Sequence, residues 1–69
     1  MNEIIFIVKE SPEGGYEAKA LDYSIFTDGG NIEEIKQNIK EAIRCHFEEN
    51  APKIVRLHYI KEEIIDQLF

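Results

Sequence analysis

The side chains best suited to covalent or metal chemistry are Cys45, its neighbour His46, and His58 twelve residues further on. A thiol next to an imidazole raises the question of a nucleophile with its base. The spacing argues against that pairing. Cys45 and His46 lie in a stretch of helical periodicity, where consecutive side chains diverge by about 100°. His46 falls on the wheel within the apolar stripe, between Ile39 and Phe47, and Cys45 falls at its edge, so a semi-buried histidine beside an inert thiol is expected. With His58 these residues make three potential ligands without a fourth and without any zinc-type spacing. Glu33, Glu34, Glu48, Glu49, Glu62 and Glu63 come as adjacent pairs that read as solvated charge. Gly14-Gly15 and Gly29-Gly30 are turns, without the spacing of a phosphate-cradling loop. The sequence predicts no catalytic, cofactor-binding or metal-binding residues, and the chain reads as a non-enzyme.

The element that organises the chain is Asn31 to Glu49, NIEEIKQNIKEAIRCHFEE. Ile32, Ile35, Ile39, Ala42, Ile43 and Phe47 repeat at the spacing of one helical face. Glu34, Lys36, Gln37, Lys40, Glu41, Arg44 and Glu48 fill the other. Asn31 is a good N-cap, and Glu34 three residues later completes a capping-box pattern. Gly29-Gly30 interrupts the chain before the helix, and Pro52 prevents its continuation.

Around this helix the sequence supplies strands. Residues 3–9, EIIFIVK, are β-branched and aromatic. Ile4, Phe6 and Val8 point to one face, Ile5 and Ile7 to the other, as in a central strand covered on both sides. Residues 10–15 form a turn. Tyr16, Ala18 and Ala20 alternate with Glu17 and Lys19, as in a strand with one solvated face. Leu21-Asp22-Tyr23 is a tight connection, Ser24 to Thr27 a third strand, and Ile54 to Ile60 a fourth. A single α+β domain over residues 1–69 follows, in the order β-β-β-α-β. A right-handed crossover places the last strand parallel to the first, in sheet order 3-2-1-4, with the helix on one face. Residues 62–69, EEIIDQLF, fit either a two-turn helix or an extended arm.

Composition narrows the functional classes. Fourteen acidic against eight basic residues give a net charge of -6, which disfavours nucleic acid and suits a basic protein partner. One cysteine allows no intrachain disulfide. The longest apolar run, Ile4 to Val8, is too short to span a bilayer, and MNEIIF lacks the basic start of a signal peptide. A cytoplasmic protein is expected. A domain of this size has a marginal core alone. Ile5 and Ile7 on the uncovered face, with Ile64, Ile65, Leu68 and Phe69 on the 61–69 tail, predict a homodimer or higher even oligomer. The tail would lie on a neighbouring protomer or close the sheet.

The stretch from Gly14 to Ile43 carries a family pattern: Gly15-Tyr16-x-Ala18, a short strand ending in Thr27, Gly29, Glu33-Glu34, Asn38 and Ala42-Ile43. It resembles the HicB-like antitoxin domain of type II toxin–antitoxin systems. The family's Pro-Glu-Leu-Pro-Gly type loop is replaced here by Leu21-Asp22-Tyr23-Ser24. The resemblance implies a partial ribonuclease H-like fold without catalytic carboxylates. It also implies binding of a small basic HicA-like mRNA interferase, whose RNA-cleaving site the domain masks. Lys61 to Phe69 leaves no room for the DNA-binding domain many members carry, so direct DNA binding is not expected. Glu17, Asp22 and Asp28 are the expected contacts to the toxin, on a region separate from the oligomer interface. The alternative is an orphan homo-oligomeric structural domain of the same fold with no toxin partner.

Overall fold

The computed structural model describes residues 2–67. Four strands and one helix follow in the predicted order: β1 (Glu3–Glu10), β2 (Tyr16–Ala20), β3 (Phe26–Gly29), α1 (Ile32–Phe47) and β4 (Ile54–Ile60). The sheet order is β3-β2-β1-β4. β1 pairs antiparallel with β2 and parallel with β4, and β2 pairs antiparallel with β3. The fold class is α+β, as the sequence predicts.

The core forms where the stripe of α1 meets one face of the sheet. Ile35, Ile39 and Ile43 pack with Ile4, Phe6, Val8, Ala18, Ala20 and Ile25. Small alanines on β2 let the helix approach closely, while β1 supplies the bulk. Asn31 caps α1 as predicted, its Oδ1 accepting from the Glu34 N–H at 2.8 Å. Glu34 reaches one residue beyond the usual capping box and accepts from the Gly30 N–H at 2.8 Å. Asn38 on α1 donates through Nδ2 to the Asp28 carbonyl at 2.7 Å, which ties the helix to β3.

Two boundaries differ from the sequence reading. The third strand covers Phe26–Gly29 rather than residues 24–27. Gly29 pairs with Tyr16, and a Cβ there would lie 2.7 Å from the Ile35 backbone nitrogen. Close approach between strand and helix requires glycine there, although glycine and aspartate are poor strand formers. Ile25 leaves the ladder and turns into the core from the preceding loop, at 5% exposure. The helix ends at Phe47 rather than Glu49, because Glu48 and Asn50 adopt positive φ of 54° and 61°. The chain thus turns before Pro52 is reached.

Covering of the sheet is unequal. α1 lies over β2 and β3 and makes no close backbone approach to β4. Val55, Leu57 and Tyr59 share the helix-side face with Ile4, Phe6 and Val8, yet only Leu57 is half-buried. Residues 61–67 form no helix; they are an exposed extended arm, with Ile64 90% and Ile65 85% exposed. Leu68 and Phe69 lie outside the described residues.

Candidate functional site

The three residues with reactive side chains do not converge. Cys45 and His46 are both exposed, so the expectation of a semi-buried His46 is corrected. The wheel places it on the stripe, but in the last turn of α1 it is Phe47 that packs against the core, while His46 stays exposed. His46 instead packs edge-on against Tyr23 (6.0 Å between ring centroids) and Phe47 (4.9 Å). Tyr23 meets Phe47 at 5.1 Å, also edge-on. This three-ring cluster pins the 21–25 loop to the end of the helix. Sequence reasoning missed it because Tyr23 comes from a distant loop. His58 sits on β4, opposite Ile7 of β1. Among the described residues no three of His, Cys, Asp and Glu gather closely enough to hold a metal ion.

The sheet face away from α1 has no covering element among the described residues. Strand alternation and register lay its side chains out in rows across the strands. One row runs His58, Ile7, Lys19, Phe26; the next runs Ile60, Lys9, Glu17, Asp28. Towards the other end lie Arg56 beside Ile5, and Ile54 beside Glu3. An open groove crosses this face, lined by Ile7, Lys9, Glu17, Lys19, Phe26 and Ile60 together with loop residues Leu21 and Tyr23. Ile5 and Ile7 are half-buried, while Phe26 is 62% exposed.

Charge on this face is mixed. Lys9 Nζ lies 3.5 Å from Glu17 Oε1 across the β1–β2 pair. Asp28 stands directly across from Glu17 on the other side, so two carboxylates lie side by side with only Glu17 paired to Lys9. Arg56 grips Glu3 with two hydrogen bonds, Nε to Oε2 at 2.8 Å and Nη2 to Oε1 at 3.2 Å. These hydrogen bonds lower the Glu3 carboxyl below its ordinary value and raise the Arg56 guanidinium above its own; the coulombic attraction of the pair adds to both.

The expected partner contacts therefore do not form one patch. Glu17 and Asp28 are neighbours, whereas Asp22 lies in the loop beyond the far end of β2, beside Glu3, Ile5 and Tyr23. Nor are they separate from the expected oligomer contacts, since Ile5 and Ile7 occupy the same face as Glu17 and Asp28. Period-two alternation assigns a face to each residue, but only the pairing register shows which strands share it.

No helix among the described residues is long and apolar enough to cross a membrane. No family model matches the chain. No solved structure matches it either. Two curated proteins do. A UPF0150 protein of Thermotoga maritima is 49% identical over 63 residues, covering 91% of this chain and 90% of the relative. A UPF0150 protein of Archaeoglobus fulgidus is 50% identical over 52 residues, covering 74% and 77%. With half its residues shared along nearly the full length of both partners in the first of these alignments, the chain belongs to the UPF0150 protein family.

Proposed function

We propose that this domain is a non-catalytic binding module of the HicB-like antitoxin kind. It captures a small basic HicA-like mRNA interferase and neutralises it by occlusion. The observation that carries the reading is the open sheet face. There Ile7 and Phe26 flank Lys19, and at the margin by β3 the carboxylates of Glu17 and Asp28 stand side by side, so apolar surface lies next to a local acidic pair that a basic protein surface could meet. The sequence resemblance supplies the identity of the partner. Electrostatics would set the capture rate and its salt dependence more than the final affinity.

Co-expression with a small basic HicA-like protein tests the reading. A stable complex is expected, in which the toxin no longer cleaves RNA. The charge-reversed pair Glu17→Lys with Asp28→Lys should slow capture by about tenfold at low salt and flatten its salt dependence. Asp22→Lys should do much less, because it stands apart. Capture unaffected by the double reversal would refute this use of the face. The second reading, an orphan homo-oligomer, is favoured by the exposed apolar residues of β4 and the arm. It predicts a stable oligomer with no affinity for the basic protein.

A further inference from the structure

β4 is an unusual edge. A parallel strand is normally buried on both faces, yet six of its seven residues are exposed. Five of the seven are apolar, and the strand contains no proline, glycine or lysine. Arg56, tied to Glu3, is the one formal charge on the strand, and the other devices that normally blunt an edge are missing. Of the nine exposed large hydrophobic residues among those described, Ile54, Val55, Tyr59 and Ile60 belong to β4, and Ile64 and Ile65 to the arm after it.

The backbone fixes what this edge can bind. The Ile54 N–H donates inward, to the Asn2 carbonyl at 2.8 Å. Alternation along the strand then turns the N–H and C=O of Val55, Leu57 and Tyr59 outward, to the free side. We propose that two copies of this chain pair antiparallel through β4, about a twofold axis at Leu57. In that register Leu57 faces Leu57 of the second copy, Val55 faces Tyr59, Arg56 faces His58, and Ile54 faces Ile60. Every outward-pointing residue falls in a hydrogen-bonded pair, giving about six ladder bonds. Apolar residues meet apolar ones at every position except Arg56 and His58. The axis stands perpendicular to the sheet, so the two helices lie on the same side of one continuous eight-stranded sheet. A shift by one residue would instead set Arg56 against Leu57 and put the helices on opposite sides.

The exposed area fits this occupant. The chain exposes 5751 Å² at a mass of 8.0 kDa, where a compact monomer of that mass exposes about 4,450 Å². The excess is about 1,300 Å² per copy and lies on the exposed 61–67 arm as well as on β4, so a dimer that covers both has the ~800 Å² per partner of a standard interface at its disposal. The pairing is independent of toxin capture, because it uses the strand edge rather than the open face.

Engineered cysteines in a Cys45→Ser background test the register. Leu57→Cys places two Cα atoms about 5.5 Å apart across the axis, within disulfide range. It should form a covalent dimer on mild oxidation. Val55→Cys lies about 13 Å from its own copy and should not, but should cross-link when mixed with Tyr59→Cys. Tyr59→Pro removes an outward N–H that β1 does not use, so it should raise the dimer dissociation constant about tenfold or more while keeping the circular dichroism of the fold. If that variant fails to fold, the cysteine pairs decide alone. A wild type that is monomeric at micromolar concentration, Val55→Cys cross-linking as readily as Leu57→Cys, or a folded Tyr59→Pro that dimerises undiminished would each overturn the proposal. Glu17→Lys with Asp28→Lys should leave the dimer intact, which separates this result from the toxin test.

Discussion

The two edges of the sheet are built on opposite principles. β3 is four residues long and ends in Asp28-Gly29. α1 packs beside it, and Asn38 occupies the Asp28 carbonyl at 2.7 Å. A short, polar edge with a covered backbone gives another strand little to pair with. β4 is seven residues long and mostly apolar, and α1 does not reach it. The difference teaches that burial here is a matter of position under the helix rather than of composition. Ile39 and Ile43 on α1 and Ile4 on β1 are 6% exposed or less, while Ile54 and Ile60 on β4 are about half exposed.

The sharpest way to break this comparison is to cut one isoleucine on each side. Ile39 is 2% exposed at the centre of the stripe. Ile39→Ala should cost about 2–5 kcal/mol, a large part of a small domain's stability. Ile7, half-buried on the open face, should cost less than half as much when cut to alanine, since little packs above it to leave a cavity. Denaturant unfolding of the two variants measures both. Equal losses would mean that the open face is covered in solution as fully as the helix-side face.

The β3 edge can be broken separately. In Gly29→Ala the new Cβ would lie 2.7 Å from the Ile35 backbone nitrogen and 3.1 Å from its Cβ. Neither can swing away as a flexible side chain would, so strand and helix must part. A loss of about 1–3 kcal/mol is expected, read as a lower unfolding midpoint. An unchanged midpoint would show that the helix has room to lift from β3.

How much of this was legible beforehand follows the same division. The period-3.6 stripe from Ile32 to Phe47 and the alternation in β1 and β2 are local patterns, and they predict the helix, those strands and the sheet order correctly. The N-cap at Asn31 is equally local. The end of β3 is not, because Asp28 and Gly29 join the ladder through β2 and α1 rather than by their own propensity. The exposure of His46 depends on which residue of the last turn meets the core, which is Phe47, and its Tyr23 contact on a loop more than twenty residues away. Alternation in β4 identifies its two faces, yet the sequence does not say that the helix leaves both open. For the candidate site, Glu17 and Asp28 come together as cross-strand neighbours while Asp22 does not. The residues were readable and their register was not.

The smallest expected effect concerns the only ion pair that joins β1 to the β4 edge among the described residues. Arg56 holds the Glu3 carboxyl below its ordinary value, chiefly through the hydrogen bonds. A carboxyl lowered on folding stabilises the fold above its unfolded pKa, about 4.3 for glutamate. That contribution is lost as pH falls through the lower folded value. Both side chains are exposed enough for water and salt to screen them, so the effect on the midpoint is small. Glu3→Gln should lower the unfolding midpoint slightly at neutral pH. The difference should close below about pH 4 and again in about 1 M salt. NMR titration reads the cause directly. The Glu3 carboxyl should titrate below the ordinary glutamate value in the wild type and return to it in Arg56→Gln. Were Glu3 to titrate identically in both, the pair would not hold β4 to β1 in solution, and the backbone ladder alone would have to keep that edge in place.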